Sequence, residues 1–308
     1  MNGGGPQGGT AGILEYISLT TGNLDFLEED KRFKLIDDAS FLETLNLLAI
    51  GLASFNFKQN IPSDIAENSL FIPTENLKTQ EHLNKISQWT DKQEMKLNTD
   101  KTKYMLINFC KSLEFNTRIY LNNSILEQVK QTKLLGVIIS DNMTWHANTA
   151  EIVNKSQKRM IILRKLCEFK IPVKDMIQIY ILYIRSLVEQ SSVVWASSIT
   201  QQEKNDIERV QKIAMRIIYK EQYKSYENAL NLSKLTTLDK RREKLLLNFA
   251  KKCIKNENTV NIFPRNEIKN TRQKEVYKVP FAFTERYKNS AIPAMARMLN
   301  TQEQGAKY

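Results

Sequence analysis

The spacing of apolar residues changes character near residue 144. Before that point, short apolar runs alternate with turn-forming clusters. After it, apolar residues recur every three or four positions over long stretches. The first texture predicts strands mixed with helices, and the second predicts helices alone.

In the first part, residues 33–36 read as a strand followed by a turn at Asp37-Asp38. Residues 41–52 place apolar side chains at 41, 42, 45, 48, 49 and 52, which fits one helix face. Leu83, Ile86 and Trp89 follow the same spacing, and Asn98-Thr99-Asp100-Lys101 is a turn. Residues 104–109 and 118–121 are strand candidates, and Asn122-Asn123 is a hairpin turn before Ile125-Leu126. Residues 134–139, all apolar apart from Gly136, predict a strand buried on both faces.

In the second part, four helical stripes stand out. The first is Ile152, Met160, Leu163, Leu166 and Cys167. The second is Met176, Ile177, Tyr180, Ile184, Leu187 and Val188. The third is Ile207, Val210, Ala214, Ile217 and Ile218, with Glu203, Lys204, Arg209, Lys212 and Arg216 on its polar side. The fourth is Leu245, Leu246, Phe249, Ala250 and Cys253. Beyond residue 256 the chain mixes Pro264, Pro280 and Pro293 with many basic residues and reads as irregular. The fold class expected is α+β: a mixed part over 1–143, an all-α part over 144–256, and a basic tail over 257–308.

Charge sharpens this division. Residues 1–90 carry a net charge of −6 and residues 91–308 a net of +17. A basic body of that size points to a polyanionic partner, most simply nucleic acid. No apolar run is long enough to span a bilayer, so no membrane role is expected, and the glycine-rich start is not a signal peptide. Cys110, Cys167 and Cys253 lie far apart, with His82 and His146 near none of them. That spacing argues against a zinc site and for free thiols in a reducing, intracellular compartment, the cytoplasm or nucleus.

Three local features carry candidate chemistry. Adjacent carboxylates at a hairpin tip, Asp37 and Asp38, repel one another, and a Mg²⁺ ion relieves that repulsion. A solvated turn is the plainer reading of the dipeptide alone. Gly4-Gly5-Pro6-Gln7-Gly8 allows close backbone approach to a substrate, as a flexible loop also would. Lys96, Lys101 and Lys103 crowd one turn, where they neutralise phosphate or simply face water.

Taken in order, Gly-x-Pro-Gln-Gly, a strand with Asp-Asp, Leu-Asn-x-x-Lys-Thr-Lys and Leu-Leu-Gly-Val resemble the later palm motifs of reverse transcriptases. Ile179-Tyr180, Tyr183-Ile184-Arg185-Ser186, Glu189, Trp195, residues 208–212 (Glu-Arg-Val-Gln-Lys), Arg241-Arg242 and residues 249–253 resemble the region after the palm in non-LTR retrotransposon polymerases of the jockey type. The resemblance runs nearly end to end.

It implies a partial polymerase palm of antiparallel strands and helices, followed by an all-α, thumb-like region. Asp37 and Asp38 would be the catalytic, metal-holding carboxylates. Pro6, Gln7 and Gly8 would lie beside nucleotide and template, and Lys101 or Lys103 near the departing pyrophosphate. Leu135, Gly136 and Val137 would grip the primer end. Lys212, Arg216, Arg241 and Arg242 would contact the duplex. The partners implied are an RNA template and a DNA primer, or their hybrid. Leu35 departs from the family's aromatic residue two positions before the acid pair. The fingers and the earlier palm strand with its own Asp are expected upstream, or from another chain, so this chain is expected to be inactive alone. Two alternatives remain: a non-catalytic nucleic-acid-binding remnant, and a helical interaction protein.

Overall fold

Antiparallel strands joined by two residues need a turn with left-handed backbone, a shape that Asn and Gly take at least cost. The structure, a computed structural model, describes residues 32–35, 38–41, 69–72, 74, 77–94, 96–107, 114–257, 259–266 and 275–305. Two such turns appear in it, at Asn122-Asn123 (φ 51° and 62°) and at Leu135-Gly136 (φ 50° and 84°). The architecture is mixed helix and strand, and the chain divides into two units, Met1–Lys130 and Gln131–Tyr308.

In the first unit, the elements run β1 (Arg32–Leu35), β2 (Asp38–Phe41), β3 (Ser69–Ile72), α1 (Lys78–Lys92), β4 (Lys103–Tyr104), β5 (Glu114–Thr117), β6 (Tyr120–Leu121), β7 (Ser124–Ile125) and β8 (Glu127–Gln128). β1 and β2 form an antiparallel hairpin in which Leu35 faces Asp38. β3 pairs with β5 and β4 with β8 in parallel, and β6 with β7 is the Asn122-Asn123 hairpin. Leu77, Ile119, Leu121 and Leu126 make a small core. The Gln80 amide clamps Tyr120, accepting from its backbone N–H and donating to its carbonyl, both at 2.8 Å. This supplies a short strand with a neighbour made of side chain.

Several expectations shift here. Phe41 closes β2 instead of opening a helix, and residues 42–52 lie outside the described residues. The strand expected over 104–109 is cut to β4, because only Lys103 and Tyr104 find a partner strand among the described residues. The strand expected over 118–121 is cut to β6, since the Arg118 carbonyl is taken by the Thr74 hydroxyl at 2.7 Å.

The second unit opens with β9 (Gln131–Leu134) and β10 (Val137–Ser140). Its helices are α2 (His146–Glu168), α3 (Val173–Ile179), a π-helical segment (Tyr180–Arg185), α4 (Ser186–Glu189), α5 (Ser192–Trp195), α6 (Gln201–Tyr219), α7 (Tyr226–Ser233), α8 (Leu238–Cys253), α9 (Glu285–Lys288) and α10 (Ala291–Gly305). The single strand expected over 134–139 is corrected to a hairpin that turns at Leu135-Gly136, which leaves Leu135 largely exposed. Val137 packs with Val188, Trp195, Ile199, Ile207 and Leu238, so this hairpin belongs with the helices. The division therefore falls at residue 130 and not at 143.

Met176, Tyr180, Ile184 and Val188 are all buried at a strict spacing of four. An α-helix drifts about 40° at each such step, and the wider turn of a π-helix takes up the drift. The π-segment keeps Met176, Tyr180 and Ile184 on one core and turns Val188 into the neighbouring one with Val137 and Trp195. Residues beyond 256 are not irregular as expected. Met295, Ala296 and Leu299 of α10 pack with Leu246, Ala250, Cys253 and Phe263. Pro293 fits in the first turn of α10, where N–H groups have no intrahelical acceptor. Cys167 and Cys253 are buried free thiols, and Cys110 lies outside the described residues.

A Cβ on Gly136 would stand 2.6 Å from Gln190 Nε2, and φ there is +84°. Gly136→Ala is expected to lower stability by about 1–3 kcal/mol, read as a reduced urea midpoint at constant slope.

Candidate nucleic-acid interface

α6 is the best-defined helix for presenting charge. Thr200 and Glu203 close a capping box at its start: the Thr200 hydroxyl accepts from the Glu203 N–H, and the Glu203 carboxylate accepts from the Thr200 N–H at 2.7 Å. Glu203, expected on the polar side, is buried in this role and takes a further bond from Thr149. Ile207, Val210, Ala214, Met215 and Ile218 fill the inner face.

The opposite face carries Arg209, Lys212 and Arg216, three or four positions apart and exposed. Lys212 Nζ stands 5.4 Å from the Tyr226 ring centre and Arg216 Cζ 5.7 Å from that of Tyr223. Among the described residues, no carboxylate pairs with any of the three. α8 adds a second basic stripe, with Lys240, Lys244 and Lys251 exposed on one face.

The α6 ridge is anchored from beneath by a buried polar network. Gln211 is fully buried. Its Oε1 accepts from the Tyr180 hydroxyl at 2.6 Å, and its Nε2 donates to the Tyr226 oxygen at 2.8 Å and to the Thr236 carbonyl at 2.9 Å. The Tyr226 hydroxyl donates in turn to Glu208, whose same oxygen accepts from the Leu238 N–H at 3.2 Å. Burial pushes both phenols above the ordinary tyrosine range, and at Tyr226 the Glu208 carboxylate adds to the effect.

The expected contact residues separate here. Lys212 and Arg216 are on the open ridge. Arg241 is half-buried and makes a two-pronged bond to Glu189 at 2.9 and 3.3 Å, which holds its guanidinium above the usual range. Arg185 Nε lies 3.1 Å from the same carboxylate without hydrogen-bond alignment. Arg242 is 3% exposed and donates to Asp239 at 3.3 Å, while burial presses its pKa down. Its place as a duplex contact is corrected: the guanidinium faces the interior.

Leu135 and Gly136 form the turn of the β9–β10 hairpin, and Val137 roots it in the core. Lys101 is exposed in a turn organised by Asn98, whose side chain accepts from the Lys101 N–H at 3.1 Å. Lys103 in β4 pairs with Glu127 at 2.6 Å in solvent. Asp38 opens β2, with nothing described of its side chain. Asp37, Pro6, Gln7 and Gly8 lie outside the described residues. Among the described residues, no three His, Cys, Asp or Glu side chains converge as a metal ion requires, and no helix is long and apolar enough to cross a membrane.

Sequence reasoning missed the Gln211 network. Its signal was available: Gln211 stands four residues after Ile207 and three before Ala214, a polar residue on an apolar stripe. Comparison with protein-family models, curated proteins and solved structures finds no match to this chain.

Gln211→Leu strands the Tyr180 hydroxyl and the Thr236 carbonyl. It is expected to cost about 2–4 kcal/mol, measured by urea unfolding. The raised phenols also set an alkaline limit. Unfolded tyrosines ionise near pH 10 and these two only above it, so their contribution is complete below about pH 10 and declines as pH rises further. Phenolate absorbance from Tyr180 and Tyr226 is expected only together with loss of helical circular dichroism, and Tyr180→Phe is expected to make the alkaline decline shallower.

Proposed function

We propose that this chain is the later part of a reverse transcriptase of a non-LTR retroelement, in which the second unit holds the nucleic acid. The observation that carries the nucleic-acid reading is the α6 ridge, three exposed cations without a counter-charge among the described residues. A solvated face would gain from ion pairs with its neighbours, whereas a phosphate-tracking face leaves its cations free. The polymerase reading draws support from the β1–β2 hairpin, in which Asp38 opens the return strand directly after the two-residue connection.

On this reading, Asp37 and Asp38 would hold Mg²⁺, which supplies charge stabilisation to the attacking and leaving oxygens of phosphoryl transfer. Pro6, Gln7 and Gly8 would line the nucleotide and template, Lys101 or Lys103 would meet pyrophosphate, and the Leu135-Gly136 turn would steady the primer. One acid pair does not make a two-metal site, so the chain alone is proposed to bind a primer–template hybrid and not to extend it. The α6 and α8 cations also suit a second reading, a binding module with no catalytic part.

The test is binding of the full chain to an RNA–DNA hybrid, read by fluorescence anisotropy from about 50 to 200 mM salt. Affinity is expected to fall steeply with salt. Arg216→Ala and Lys212→Ala are each expected to reduce the log–log slope by about one with little change in stability. Arg242→Ala is expected to leave the slope intact and lower stability by about 3 kcal/mol. A flat salt response rejects both readings.

A further inference from the structure

The segment between Tyr277 and Arg286 exposes its aromatic rings to an unusual degree. Phe281 is 78% exposed and Phe283 is 91% exposed, with ring centres 4.8 Å apart and planes perpendicular. Tyr287 follows, half exposed. Rings of this size are normally withdrawn from water, and a cluster left outside marks a binding surface.

The segment is held at both ends. Tyr277 is buried, and the Asn300 side chain takes its N–H at 2.8 Å and donates to its carbonyl at 2.9 Å. Asn266 N–H donates to the Val276 carbonyl and Lys278 N–H to the Pro264 carbonyl, so a short ladder roots this end. At the other end, Arg286 Nη1 donates to the Asn142 carbonyl at 2.6 Å, and the Thr284 hydroxyl accepts from the Tyr287 N–H. The rings are displayed from a fixed base, which lowers the ordering cost of a ligand.

The charge around them selects the partner. Among the described residues of this stretch, Arg265, Lys278, Arg286 and Lys288 stand against Glu275 and Glu285. Lys278 is exposed just before the rings in sequence, and Lys288 is exposed just after them, where it pairs with Glu285 at 3.0 Å. At the root, the ladder walls a cavity of about 420 Å³ rimmed by Lys255 and Arg265. Exposed rings amid cations match unpaired nucleotides, whose bases stack on aromatic faces while their phosphates meet Lys and Arg. A protein partner would be offered the same rings without a reason for the surplus cations.

We infer that Phe281 and Phe283 form a stacking platform for single-stranded nucleic acid. The proposal rests on the nucleic-acid reading above for the class of partner, and it adds a site that distinguishes unpaired strands from duplex.

The experiment compares the full chain with the Phe281→Ala/Phe283→Ala and Phe281→Tyr/Phe283→Tyr variants. The probes are a single-stranded oligouridylate and an RNA–DNA hybrid of equal length. The alanine pair is expected to weaken single-strand binding about tenfold or more, to leave hybrid binding within twofold, and to melt as the parent does. The tyrosine pair keeps both rings and is expected to retain affinity. Unchanged single-strand affinity in the alanine pair overturns the platform while the hybrid reading stands. Equal losses on both probes also overturn it, and parental binding to neither probe removes the wider reading with it. Concentration-dependent self-association that the alanine pair abolishes, with single-strand affinity unchanged, assigns the face to a protein contact instead.

Discussion

Gln211 is the point on which the helical unit turns. One side-chain amide, fully out of water, joins α6 to the π-segment through Tyr180, to α7 through Tyr226, and to the loop before α8 through Thr236. Each bond adds only about 1 kcal/mol net, but an unpaired polar group at the same depth costs more than that. The network therefore favours one arrangement of these elements over near neighbours. The basic ridge takes its direction from the same helix, since residues that face inward at 207, 210, 211, 214 and 218 send 209, 212 and 216 outward.

Amide side chains do similar work elsewhere. Gln80 stands in as a neighbouring strand for Tyr120, and Asn300 does so for Tyr277. Asn148 accepts from the Ile138 N–H at 3.1 Å, which ties β10 to α2. In each case the ladder is two strands wide at most among the described residues, which leaves the backbone short of partners. Asn and Gln carry the donor and acceptor of a peptide group, so they complete a ladder where chain does not.

The long amphipathic helices were legible because their apolar spacing is regular over many turns. Met160, Leu163 and Cys167 of α2 and Ile207, Val210, Ala214 and Ile218 of α6 are buried as expected. The π-segment was not legible in detail, since a spacing of four reads as helix without revealing a wider turn. The β9–β10 hairpin hid inside an apolar run because Leu135 takes a left-handed turn position that Leu seldom occupies. The fourth stripe is rotated from its expected place: Leu238, Arg242, Leu246, Ala250 and Cys253 face inward, and Phe249 is exposed. Arg242 sits four residues from both Leu238 and Leu246, so spacing alone could have placed it inside, but charge argued the other way. The closing helix was obscured by prolines, although Met295, Ala296 and Leu299 already marked its apolar side. Of the candidate site, the lysine turn was readable from Asn98, while the glycine loop and Asp37 lie outside the described residues.

The hold of Asn300 on Tyr277 spans 23 positions of sequence. That loop has to close before the bond can form, so Tyr277 is satisfied only when α10 docks. Until then a peptide group destined for the interior has only water to bond. The Arg265–Tyr277 ladder and α10 are thus locked to each other by one amide, and are expected to open and close as a single cooperative piece.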